Sequence, residues 1–204
     1  NLEQWSVCSS FLLTTQAWSQ PAMERALQWL LVQHDGLRLR MERDGQGWRQ
    51  WIAPVEQAHP LIVRPSAHEP GSAESRQEAT SALQSLRDGF CFPGDLFHVL
   101  AIELSDGRAV IALAAHHVAV DALAFAVAQE DLFCAYEHFA TGEGRLPDTP
   151  AVSYSDFART SIDHWLERRE RALSHWRGLR WDLVRQLPES PDTDRTAALE
   201  ERYS

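Results

Sequence analysis

Lysine is absent from this 204-residue chain: all 19 basic residues are arginines, set against 29 acidic ones. So complete a bias reads as the codon usage of a GC-rich genome and carries no functional signal. Positive charge is in deficit overall. The formal net charge of −10 argues against nucleic acid and against anionic membrane surfaces, both of which repel a surplus of carboxylates. Cysteine is scarce as well. Cys8, Cys91 and Cys134 are far apart, none sits in a C-x-x-C pair, and an odd number does not suggest a disulfide framework. A reducing, cytoplasmic setting is the expectation. No apolar run is long enough to span a bilayer, and the N-terminus lacks the charged-then-apolar pattern of a signal peptide. No G-x-G-x-x-G follows the first strand, which weakens a Rossmann reading, and no G-x-S-x-G elbow offers a nucleophilic serine. The chain opens at Asn1, without methionine, in what reads as the edge of a strand. It is therefore expected to be a fragment of something longer.

What remains is ordinary globular material. Apolar residues make up 44%, and this length buries a real core in one or two domains. Val7 to Thr14 is β-compatible. Ser19 and Pro21 mark a helix start, and Met23, Ala26, Leu27, Leu30 and Leu31 recur at helical spacing up to a stop at Gly36. Leu37 to Arg43 alternates like a strand, turns at Asp44-Gly45, and returns over Trp48 to Ile52. Leu61 to Arg64 reads as a strand and Glu74 to Arg87 as a helix. Phe97 to Leu104 and Ala109 to Ala115 read as strands joined at Asp106-Gly107. The second is a continuous apolar run of the kind covered on both faces. A helix from Leu123 to Thr141 is expected to turn Val127, Phe133, Tyr136 and Ala140 inward and to stop at Gly142. A long helix follows from about Ser155 to Val184. Its many arginines, with Glu167 and Glu170 among them, read as a solvated face. Helices alternating with mostly hairpin-linked strands predict an α/β layered sandwich, a mixed sheet with packed helices.

One segment stands out. His116-His117-Val118-Ala119-Val120-Asp121-Ala122 follows the apolar run directly, placing two histidines and an acid at a strand-to-helix junction. A neutral imidazole there can take a proton from an amine, hydroxyl or thiol during acyl transfer, while its neighbour packs behind it. Asp121 is placed to hold the loop through a basic partner, and Arg38 is the candidate. Other readings stay open: a pair of satisfied core histidines, or a metal site. The metal is disfavoured because adjacent residues of an extended strand face opposite ways. Cys134, inside a helix with no evident base nearby, reads as packing rather than as a nucleophile.

These residues resemble a known family. His116-His117-x-x-x-Asp121 is similar to the HHxxxDG motif of condensation domains from nonribosomal peptide synthetases, members of the chloramphenicol-acetyltransferase-like superfamily. The likeness runs on in order. Gln33 to Met41 resembles the RHExLRTxF segment, and Asp95-Leu96-Phe97-His98 the PLFR stretch. Tyr154-Ser155-Asp156-Phe157-Ala158 resembles YxDYA, and His175-Trp176 the YW pair. The resemblance implies a chloramphenicol-acetyltransferase-like lobe, one of two around a tunnel. On that reading residues 1–187 form the N-terminal lobe, and 188–204 lead toward a C-terminal lobe that is missing.

The activity implied is acyl transfer between carrier-protein-bound thioesters, forming a peptide bond. His117 matches the active-site histidine, His116 its support, Asp121 the structural aspartate and Arg38 its partner. No cofactor is implied on the chain itself. The substrates ride on phosphopantetheine arms of donor and acceptor carrier proteins, which are the expected partners. Ala122 stands where the motif has glycine, and its methyl is expected to narrow the tunnel or reshape the loop. Epimerisation, ester formation and a non-catalytic lobe that only docks carriers remain the alternatives.

Overall fold

The computed structural model describes residues 6–13, 17–45 and 47–184. The expected linker over 188–204 lies outside them. At the centre is a four-stranded mixed sheet in the order β1-β6-β5-β4, built from β1 (Ser6–Leu13), β4 (Leu61–Pro65), β5 (Phe97–Glu103) and β6 (Ala109–His116). β6 runs antiparallel to both β1 and β5, and β4 joins the edge parallel to β5. A separate hairpin pairs β2 (Leu39–Asp44) with β3 (Gly47–Ile52).

The apolar run of β6 is covered on both faces, and its period of two sorts the cover. Ala109, Ile111, Leu113 and Ala115 face one core together with Phe97, Val99 and Ala101 of β5. Helices α1 (Gln20–Gln33) and α3 (Ala122–Thr141) close that side. Ala112 and Ala114, with Leu100 and Ile102, face a second core closed by Ala82 and Leu86 of α2 (Ala73–Asp88). This is the expected sandwich of helices on both faces of a mixed sheet.

Local chemistry sets the boundaries. Ser19 caps α1, its Oγ accepting from the Ala22 amide at 3.3 Å, with Pro21 in the first turn. Met23, Ala26, Leu27, Leu30 and Leu31 form its buried face, as their spacing predicts. Gly36 does not close this helix. α1 ends at Gln33, and residues Asp35–Arg38 form a single 3-10 turn before β2 begins at Leu39. In α3 the buried side chains are Phe125, Ala128, Leu132, Ala135 and Tyr136. Val127, expected inward, is 43% exposed. Gly142 ends α3 at φ +77, in the left-handed region that favours glycine.

By internal contacts the chain divides into two units, Asn1–Thr160 and Ser161–Ser204. Helix α4 (Tyr154–Gly178) begins in the first. In the second unit it ends before a 3-10 turn, Trp181–Leu183, so the expected continuous helix to Val184 is interrupted. There the Trp181 indole folds back, donating Nε1–H to the Trp176 carbonyl at 2.7 Å and stacking on the Trp176 ring.

Candidate functional site

The site starts where β6 stops. His116 is the last residue of the strand and is fully buried. Even positions of β6 face the α2 side, and His116 continues that row. There its ring meets Phe90 and Phe92 edge-on, at centroid distances of 5.7 and 5.2 Å. Its Nδ1 accepts from the Val118 amide at 3.1 Å. In the neutral ring the proton therefore sits on Nε2. The backbone closes the same turn. The His116 amide donates to Leu96 O, and its carbonyl accepts from Ala119 and, more distantly, from Val120. One buried imidazole thus grips the peptide that joins His117 to Val118. His117, half-buried, is carried on that turn one step beyond the sheet.

Asp121 caps α3. Its backbone is extended and its Oδ1 accepts from the Ala124 amide at 2.7 Å. The carboxylate also faces the positive end of the helix dipole. The expected Arg38–Asp121 pair is not formed. Arg38 lies in the turn after α1, where Nε donates to Leu31 O at 2.8 Å and the guanidinium also holds Ala53 O. Those carbonyls, at the end of α1 and beyond β3, use the guanidinium locally, so Arg38 braces the hairpin. Ala122 is the first residue of α3 and is exposed. Among the described residues no position other than glycine has a positive φ. Ala122 thus takes ordinary helical backbone, which does not require glycine.

Other residues of the site escape a reading of the sequence. Arg40 is buried and pairs with Asp95; it also reaches the carbonyls of Gln57 and Leu39. His98 stacks on Phe90 at 5.1 Å. Its pKa is lowered below the ordinary 6.5, first by burial; Asp95 pulls it up and Arg40 pushes it down. The PLFR-like stretch contains both Asp95 and His98, but only the fold brings them to Arg40 and to the phenylalanines around His116.

The second motif-like segment has separate duties for its polar residues. His34 Nε2 and Asp131 Oδ2 of α3 lie 2.6 Å apart. The Asp35 carboxylate receives the Tyr154 amide at 2.8 Å and, at longer range, the amide and hydroxyl of Ser155, capping α4. Gln33 Oε1 is buried without a hydrogen-bond partner. Cys134 has its thiol pKa raised by burial and by Glu130, Asp131 and Glu137, which keeps it protonated and inert. Among the described residues no group of three or more His, Cys, Asp or Glu is placed to hold a metal ion. No helix there is long and apolar enough to cross a membrane.

The fold and the sequence both have counterparts among known proteins. A linear gramicidin synthase protein of Brevibacillus parabrevis is 32% identical over 168 residues, covering 78% of this chain and 2% of that protein. The chain therefore spans a very small part of the curated relatives it matches. Among solved structures, the epimerization domain from the third module of tyrocidine synthetase B superposes with a TM-score of 0.74 at 16% identity. It covers 91% of this chain and 42% of that one. The starter condensation domain of rhizomide synthetase gives 0.72 at 14% identity, covering 92% and 44%. These likenesses establish the fold. The profile of the condensation domain matches residues 3–203, nearly the whole sequence, and so the chain belongs to the condensation-domain family.

Proposed function

We propose that this chain is the N-terminal lobe, residues 1–187, of a domain that joins two carrier-bound thioesters through a peptide bond. Residues 188–204 lead toward the second lobe. The observation that carries the reading is the histidine turn: His116 is buried and locked by Val118 and two phenylalanines, and His117 is held on the turn it anchors. In this reading the acceptor amine attacks the donor thioester carbonyl, the new C–N bond forms, and the C–S bond breaks. His117 removes or positions the amine proton, and the phosphopantetheine thiol leaves with a proton. His116 acts as a positioning residue, and Asp121 holds the junction as the α3 cap. Arg38 braces the neighbouring hairpin. No cofactor binds the chain; the pantetheine arms belong to donor and acceptor carrier proteins. A cytoplasmic setting suits such machinery.

The test uses the chain completed by its second lobe, with two loaded carrier proteins, and reads dipeptide by mass spectrometry. Wild type forms amide, and His117→Ala lowers its rate by about 10²-fold or more, on the order expected of a lost general base. Undiminished product from His117→Ala removes the catalytic assignment. Epimerisation is the second reading, motivated by the match to the tyrocidine epimerization domain. An epimer without amide would favour it, and no product of any kind would favour a lobe that only docks carriers.

A further inference from the structure

The central sheet ends at β4, and among the described residues no strand pairs with its outer edge. Pro60 O accepts from the Val99 amide at 2.8 Å, and the Ser66 amide donates to Glu103 O at 2.7 Å. Successive residues of a strand turn their backbone groups to opposite edges, so Ile62 and Arg64 carry on that ladder with β5. Leu61 and Val63 then direct their N–H and C=O groups outward. An edge of this kind is a template for one more strand. Pro65, with no N–H, ends the template after those two residues.

Beside the edge lies a groove of about 740 Å³ between β4 and α1. Leu61 and Val63 line it, with Leu27 and Leu31 of α1 and Val55 as an apolar floor. Its rim is acidic, formed by Glu24, Glu56 and Glu103. Glu103 accepts from the Trp18 indole and Glu24 from the Gln20 side-chain amide, both at 2.8 Å. These donors are neutral and leave the negative charge in place. Arg64 also lines the groove, but its guanidinium is drawn toward Glu78 of α2, 4.0 Å away.

Edge and groove together choose the occupant. The outward N–H and C=O groups require extended backbone, the floor favours apolar side chains on alternate residues, and the carboxylates favour flanking cations. A second copy paired antiparallel through the same edge would set these carboxylates against themselves, which disfavours it. We infer that β4 accepts a basic, extended peptide segment of a partner protein as an added antiparallel strand. Its apolar residues lie over Leu61 and Val63, and its arginines meet Glu24, Glu56 and Glu103. Antiparallel pairing is the more stable ladder.

The experiment uses the chain completed by the C-terminal lobe proposed above. The probe is the peptide acetyl-Arg-Thr-Val-Thr-Val-Thr-Arg-amide, which places its arginines and valines on one face of a strand. Amide exchange is followed residue by residue by NMR. Without peptide, the Leu61 and Val63 amides are expected to exchange at least about tenfold faster than those of Ile62 and Arg64, and saturating peptide should remove the difference. Glu24→Gln combined with Glu56→Gln, both exposed positions, should weaken the peptide about fivefold at unchanged melting temperature. N-methylation of both valines should abolish binding, since it removes the N–H groups that pair with the edge. Failure of the arginine peptide to bind overturns the inference. Equal binding after N-methylation also overturns it, as ionic adhesion without a strand, and so does equal binding with glutamate in place of both arginines. Leu61 and Val63 amides already protected without peptide would overturn it too. Protection that grows with protein concentration would assign the edge to a second copy, and protection independent of concentration would assign it to the rest of the domain.

Discussion

Asp121 has a backbone N–H for a partner where a guanidinium was expected, and the difference can be measured. A side-chain oxygen that caps a helix contributes about 1 kcal/mol. Asp121→Ala is therefore expected to lower stability by about that amount in urea unfolding, whereas Asp121→Asn, which keeps the acceptor, loses a few tenths at most. An ion pair with Arg38 would give the opposite pattern, with Asn as damaging as Ala and Arg38→Gln costing the same. His98 gives a pH signature at the same scale. Burial holds its folded pKa below the ordinary 6.5, so the folded state prefers the neutral ring. Below about pH 6.5 the unfolded chain binds more protons at this site than the folded one, and stability falls as pH drops. Above it both states are neutral here and the contribution is fully present. His98→Phe keeps the ring stacked on Phe90 and removes the proton. It should flatten the stability–pH curve below about pH 6.5. An unchanged slope would show that other groups set it.

At the scale of elements, legibility in the sequence follows contrast. α1 is readable because Met23, Ala26, Leu27, Leu30 and Leu31 stand against charged and amide neighbours. β6 is readable because its run is unbroken. The inner face of α3 misleads at Val127 because the first seven residues of that helix, Ala122 to Ala128, are all apolar, so apolar groups fall on every side there and no stripe marks the core. Phe125, Ala128 and Leu132 take the inner row instead. The helix after Tyr154 reads as longer than it is because nothing local announces that Trp181 turns back onto Trp176. In the candidate site the same division holds. The histidine turn and its place at a strand end are legible from order alone, and so is the Asp121 junction, though not its partner. The pairs Arg40–Asp95 and His34–Asp131 span 55 and 97 residues of sequence. No periodicity encodes such a pairing; it exists only once the sheet and helices have packed.

At the scale of the whole molecule, the exposed apolar surface is the unusual quantity. None of the 25 residues of α4 is buried, yet it carries Phe157, Ile162, Trp165, Leu166 and Trp176, each between 55% and 61% exposed. A protein in water seldom leaves so many large apolar groups uncovered on one element. The structures it matches are more than twice the length it accounts for. The 204-residue chain on its own is therefore expected to self-associate. Its weight-average sedimentation coefficient should rise with concentration and persist in high salt, since burial of apolar surface, unlike attraction between charges, is not screened. The paired change Trp165→Gln and Leu166→Gln should restore monomer at concentrations where wild type associates. It should leave thermal stability nearly unchanged, because neither side chain packs in a core. Adding in trans the C-terminal lobe proposed above should have the same effect on association without any substitution. A chain that stays monomeric at every concentration, with the tryptophans quenched by solvent, would mean that this face is stable in water and has no need of a cover.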